Sequence, residues 1–147
     1  MTEREIRLVA AGAGEVLDVL GAPMVVKADP ATMGLLLLEH VVPPGYAVPP
    51  HTHDAEDEVF QVLAGTLTFA TDAGEVRGGP GTTMLLPARM RHAFRNEGPE
   101  PAHCLIMVTP GVQAVALFRH LDRAGRAGPL VPEQVGAICA QYGVRIG

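Results

Sequence analysis

Three of the chain's six histidines fall in two short segments. The first runs from Gly45 through His51, Thr52 and His53 to Glu58. The second runs from Gly81 through Pro87 to His92 and Asn96. In extended backbone, side chains alternate faces, so His51 and His53 point the same way. Neutral imidazole is the commonest protein ligand for divalent transition metals, and two on one strand face form a chelating pair. Glu58 follows the acidic stretch Asp54–Asp57 and begins the next apolar run, which lets it return to the same centre. Glu56 and Asp57 compete with it in principle, and the four-residue gap after His53 favours Glu58. His92 shares a face with Phe94 and Asn96. If its strand lies beside the histidine pair, three imidazoles and one carboxylate converge. An octahedral ion held that way keeps two coordination positions open, as catalysis requires and a closed structural site does not allow. The plain alternative is a pair of solvated loop histidines and one core histidine.

The elements that must carry these residues are short. With 17 Gly and 13 Pro, the chain is densely punctuated. Between the breaks, Ile6–Val9, Glu15–Leu20, Met24–Ala28, Gly34–Val42, Val59–Leu63, Leu67–Thr71, Met84–Pro87, His92–Arg95 and Cys104–Thr109 read as strands, bounded by Gly, Pro, Asp or Asn. Ala64-Gly65 and Asp72–Gly74 read as hairpin turns. Many short strands at close spacing indicate an all-β sandwich or barrel. The tail differs. Val112–Arg123 spaces Val115, Leu117, Phe118 and Leu121 as a helix does. After the Ala124–Pro129 linker, Pro132–Tyr142 forms a second helix with Val135, Ile138, Cys139 and Tyr142 as its apolar stripe. Both stripes read as core packing.

At 147 residues, with 48% apolar and 18% charged side chains, the chain is long enough for one core. Residues 1–110 are expected to form the β barrel and 111–147 a helical extension packed on it. Eleven basic against sixteen acidic residues give a net charge of −5, which lacks the basic footprint of a nucleic-acid binder. The longest apolar stretches, such as Met33–Leu38, are too short to span a bilayer. The start of the chain has no apolar run of the kind a secretory signal carries, and Cys104 and Cys139 make no disulfide framework. A soluble cytoplasmic protein is the expectation. Cys104, among Leu105, Ile106 and Met107, reads as a buried thiol. His40, His103 and His120 have no motif partners and read as surface or satisfied histidines. Asp54–Asp57 reads as a solvated loop, and Gly78–Gly81 as a turn. Edge-strand pairing through Ile6–Val9 would give a homodimer.

Gly45, His51, His53, Glu58 and Gly65 fill every fixed position of the first cupin motif, G(X)5HXH(X)3,4E(X)6G. Gly81, Pro87, His92 and Asn96 match the second, G(X)5PXG(X)2H(X)3N, with Arg89 where the family usually has Gly. Over roughly Met33–Pro110 the chain resembles the small, single-domain, quercetin-dioxygenase-like cupins. The resemblance implies a jelly-roll β barrel and one divalent transition metal (Fe, Mn, Ni, Co, Cu or Zn) held by His51, His53, Glu58 and His92. Arg89 adds strain if the family glycine there has positive φ. Glu58 is the expected catalytic residue, a proton acceptor whose pKa an apolar barrel would raise. Phe60, Val62, Met84, Phe94 and Met107 are candidate walls of a small-molecule pocket. Asn96 hydrogen-bonds a turn or a ligand. Arg89 and Arg91 are either solvated charges or a pair steering an anionic substrate. The resemblance points first to dioxygenase-type chemistry on a phenolic or enolisable substrate. The alternatives are a non-redox cyclase or isomerase of the polyketide type, with the ion as Lewis acid, and a small-ligand-binding module without catalysis.

Overall fold

Leu36, Leu38, His40 and Val42 are buried, and the residues between them are half-exposed, the two-residue period of a strand with one face on a core. The same alternation recurs along the computed structural model, which describes residues 5–147; Met1–Arg4, part of the chain start considered above, lie outside it. In chain order the elements are β1 (Glu15–Val19), β2 (Ala22–Ala28), a single-turn α1 (Pro30–Met33), β3 (Leu36–Val42), β4 (Ala47–His53), β5 (Asp57–Ala64), β6 (Leu67–Thr71), β7 (Gly74–Gly78), β8 (Thr83–Leu86), β9 (His92–Arg95), β10 (Ala102–Thr109), α2 (Val112–Ala127), α3 (Pro132–Ala140) and β11 (Val144–Ile146).

The strands form two antiparallel sheets, ordered β1-β2-β3-β10-β5-β8 and β11-β4-β9-β6-β7, in the jelly-roll manner expected. Their inner faces meet at Phe60 of the first sheet and Phe69 and Phe94 of the second. Phe60 lies 5.2 Å, centroid to centroid, from each of the other two rings, within the range of favourable aromatic pairs. The chain changes sheets at Gly65. That residue has φ 75°, and a Cβ there would sit 2.8 Å from Cα of Ala102, so only glycine fits the crossing. Ala64-Gly65 is therefore a crossover and not the expected hairpin turn. The loop after Thr71 does close a hairpin, pairing Thr71 with Gly74.

The C-terminal helices pack on the sheets. Gly111 leads into α2 without a side-chain cap, because a Cβ there would lie 2.6 Å from that of Leu36. The helix is capped from a distance instead. The Glu56 carboxylate accepts from the backbone N–H of Ala114 at 2.8 Å and of Gln113 at 3.3 Å, placing negative charge at the positive end of the helix. Farther along, Asp122 accepts from the N–H of Asp18 at 2.9 Å and ties α2 to β1. After α3 the chain returns as β11, pairing Val144 with His53 and Ile146 with His51.

Some boundaries differ from the sequence reading. Ile6–Val9 forms no strand, and its side chains are exposed, because no sheet edge is paired with it. The helix α2 continues past Arg123 to Ala127, and α3 stops at Ala140. The sequence reading passed over β7, whose outer residues are exposed and punctuated by glycine, and β11, a strand only by virtue of its partner. Among the described residues no helix is long and apolar enough to cross a membrane.

Arg89 has φ 67°, and its N–H donates to the His53 carbonyl at 2.7 Å. The left-handed conformation costs a non-glycine residue about 1–2 kcal/mol. Its side chain is exposed, so little packing offsets that cost. The variant Arg89→Gly is expected to gain about 1 kcal/mol and melt a few degrees higher, measured by thermal denaturation.

Candidate metal centre

Register brings the ligands together. Within one sheet β4 pairs with β9 so that His51 stands opposite His92. The ladder shifts between Val48 and His51, where Pro49 and Pro50 supply no N–H. The Glu58 side chain reaches in from the other sheet. One donor atom from each of His51, His53, Glu58 and His92 lies within 4.8 Å of all the others, and all four residues are buried. The imidazole centroids of His51 and His92 are 4.4 Å apart, and those of His51 and His53 5.1 Å.

Hydrogen bonds outside the cluster set the tautomers. The nitrogen Nδ1 of His51 lies 2.9 Å from the Pro49 carbonyl, and Nδ1 of His92 lies 3.0 Å from that of Met90. A carbonyl only accepts, so each Nδ1 carries the proton and each Nε2 presents a bare lone pair. The Nε2 atom of His92 and Oε1 of Glu58 are buried without a hydrogen-bond partner. Oε1 stands 2.7 Å from Nε2 of His53 and 3.4 Å from Nε2 of His92, but neither contact has hydrogen-bond geometry. Orphaned buried donor atoms that converge on one point fit a divalent cation, which would satisfy both at once.

The titration of these groups follows their surroundings. Burial, aided by the neighbouring His92, pushes the His51 imidazole down to about 4. Burial works against protonation of His53 too, but the Glu58 carboxylate outweighs it and raises its pKa. Burial alone would raise Glu58; His53 and His92 reverse that and hold the carboxyl below its usual range. This corrects the expected rise for the metal-free site: an imidazole protonated at Nε2, which Glu58 favours at His53, stabilises the anion more than the apolar wall disfavours it.

Beside the cluster lies a cavity of about 180 Å³. It exceeds an apolar cavity of ~150 Å³ known to admit benzene. Phe60, Phe94 and Ile106 line it from the sheets, and Leu117, Phe118 and Val135 from the helices, so the apolar stripes of α2 and α3 are its wall as well as packing. Other candidate wall residues fall elsewhere. Val62 shares the inner face of β5 but is fully buried in the core beyond the cavity. Met107 occupies the outer phase of β10, which gives the inner position to Ile106. Met84 pairs with Phe60 across β5 and β8 and packs against the core without lining the cavity. The side chain of Asn96 donates to the carbonyls of Val42 and Glu100 and accepts from the N–H of Gly98, and so fixes a turn. Arg91 ion-pairs with Asp72 at 3.1 Å on the exterior, and Arg89 lines the same outer groove; neither reaches the cavity.

The acidic stretch is not simply solvated. Asp54 pairs with Arg145 at 2.8 Å, Glu56 is buried at α2, and Asp57 accepts from the N–H of Ala88 at 2.7 Å. These contacts fix the loop that delivers Glu58. His103 is exposed, and Nδ1 of His120 meets the Tyr142 hydroxyl at 2.9 Å, as expected of residues away from the motifs. Sequence reasoning missed His40 and Tyr46, both of which line the cavity. The signal for His40 was a polar residue on the buried phase of an apolar strand.

Residues 38–108 match the cupin domain family. The chain carries a cupin domain in that stretch. It is 29% identical over 127 residues to the polyketide synthase CurC of Streptomyces cyaneus, covering 82% of this chain and 79% of that one. Among solved structures, a cupin-superfamily sugar phosphate isomerase from Silicibacter pomeroyi is 26% identical, with a TM-score of 0.56 over 63% of this chain. That match spans 61% of the isomerase, under two thirds of its length. The polyketide cyclase RemF of Streptomyces resistomycificus shares the fold, with a TM-score of 0.63, 19% identity, and coverage of 72% of this chain and 80% of that one.

Two outcomes are expected of this cupin. The variants His51→Ala, His92→Ala and Glu58→Ala should each lose at least nine-tenths of bound metal by elemental analysis (~1.4 kcal/mol or more of lost affinity), while His103→Ala retains it. Burial also pushes the His40 imidazole down to about 4, so the unfolded chain takes up a proton before the folded one. The contribution of His40 is constant above pH ~6.5, and stability then falls by roughly 3 kcal/mol as pH drops towards 4. In metal-free protein, urea titrations over that range should show a shallower loss in His40→Phe than in wild type.

Proposed function

We propose that this cupin is a metal-dependent enzyme that moves protons on, and cyclises or isomerises, a small apolar substrate with an enolisable aromatic skeleton. One observation carries the reading: four donor atoms converge, two of them otherwise orphaned, and three of the residues that supply them, His51, His53 and Glu58, line an apolar cavity large enough for an aromatic ring. The likeness to CurC over most of both chains supports a polyketide-type substrate.

The roles follow from the geometry. His51, His53 and His92 would hold the ion, and Glu58 would offset part of its charge. Such an ion supplies Lewis acidity to a substrate oxygen. Phe60 and Phe94 hold a flat ring by apolar contact, and the α2 and α3 side chains exclude water, which strengthens every charge interaction inside. Glu58 is the only carboxylate lining the cavity among the described residues, so it takes the substrate proton. Ionised, with the charge of the cation beside it, Glu58 would be a weak base, matched to a carbon acid that is already activated.

Oxidative cleavage is the second reading, because the same donors accept redox-active ions. The probe α-tetralone separates the two. The metal-loaded protein is expected to exchange its α-protons with deuterium oxide in oxygen-free buffer, followed by NMR. Chelation should abolish exchange, and Glu58→Gln should slow it about 100-fold. Stoichiometric oxygen uptake, with no exchange under anaerobic conditions, would favour oxidative cleavage.

A further inference from the structure

His40 lies inside the molecule and belongs to neither motif. It is 1% exposed and shares the inner face of β3 with Leu36, Leu38 and Val42. The Nδ1–H donates to the Pro23 carbonyl at 3.0 Å, which leaves Nε2 as a bare acceptor. Nε2 is buried without any hydrogen-bond partner. The ring lines the cavity beside the metal centre and stands edge-on to Phe94, with centroids 6.3 Å apart. Phe94 is the next residue after His92 on the same face of β9, about 7 Å along the strand. Across β10, His40 stands level with Val62, four residues along β5 from Glu58, and so away from the metal centre.

A buried acceptor left unpaired in an apolar cavity costs stability, and apolar residues of the same size would serve packing better. We propose that Nε2 of His40 is a substrate-positioning acceptor that binds a hydroxyl on the part of an aromatic substrate remote from the metal centre. The substrate class narrows to hydroxylated aromatics with one oxygen at the ion and a phenolic hydroxyl farther along the ring system. This rests on reading the cavity as the substrate site. Burial keeps the imidazole neutral near pH 7, so the acceptor persists under ordinary conditions. His40 touches no reacting atom; it sets which substrate fits and how that substrate lies.

The probes are 2-naphthol and its isostere 2-methylnaphthalene. Calorimetry on the metal-loaded protein is expected to show roughly tenfold tighter binding of the naphthol. In His40→Phe the ratio should fall to near one, with metal content and near-ultraviolet circular dichroism unchanged. A readout independent of any variant comes from the wild type: the nitrogen-15 resonance of His40 Nε2 should move upfield with 2-naphthol and stay in place with 2-methylnaphthalene. The assignment is overturned if the preference survives in His40→Phe, since the hydroxyl is then held at the metal or elsewhere. It is equally overturned if the resonance does not respond, or if the wild type binds neither probe. Loss of α-tetralone exchange with the naphthol preference intact would refute the proposed function and leave the role of His40 standing.

Discussion

Like-natured donors do not gather inside hydrocarbon without cause. Oε1 of Glu58 and Nε2 of His92 face each other's neighbourhood with no hydrogen bond to either, buried where water cannot compensate. A positive ion between them turns that frustration into binding. The surrounding architecture holds this arrangement. Pro49 and Pro50 break the ladder before His51, the carbonyls of Pro49 and Met90 fix two tautomers, and the opposite sheet supplies the carboxylate.

The helical tail is part of the same construction. It roofs the cavity with Leu117, Phe118 and Val135, and its last strand runs alongside the chelating pair. The small jelly roll thus obtains an enclosed apolar space that two sheets alone would leave open. Any ring bound there meets phenylalanines from the sheets and apolar side chains, Phe118 among them, from the helices, with polar groups confined to a few fixed points.

The ligands were legible because their spacing reflects backbone geometry: two residues on one strand face, a loop, and a third imidazole on another strand. The backbone at Arg89 was legible too, since a position that favours glycine implies a φ that the arginine then adopts. The cavity wall was not legible. Which of Ile106 and Met107 faces inward depends on strand phase, and a one-residue difference reverses it. The ionisation of Glu58 was misjudged because the two imidazoles that outweigh its burial come from other strands. Glu56 looked like one of several solvated acids, and only the fold reveals a helix end waiting for it. His40 was set aside because it had no sequence neighbours of its kind, although its period along β3 already placed it inside.

Only Asp57 separates the acid that caps α2 from the acid at the metal cluster, where the loop runs into β5. Roof and floor of the chamber are thereby hinged on one short piece of backbone. Any coupling through that piece between a ligand in the chamber and an ion at the cluster must be reciprocal, each changing the affinity of the other by the same factor.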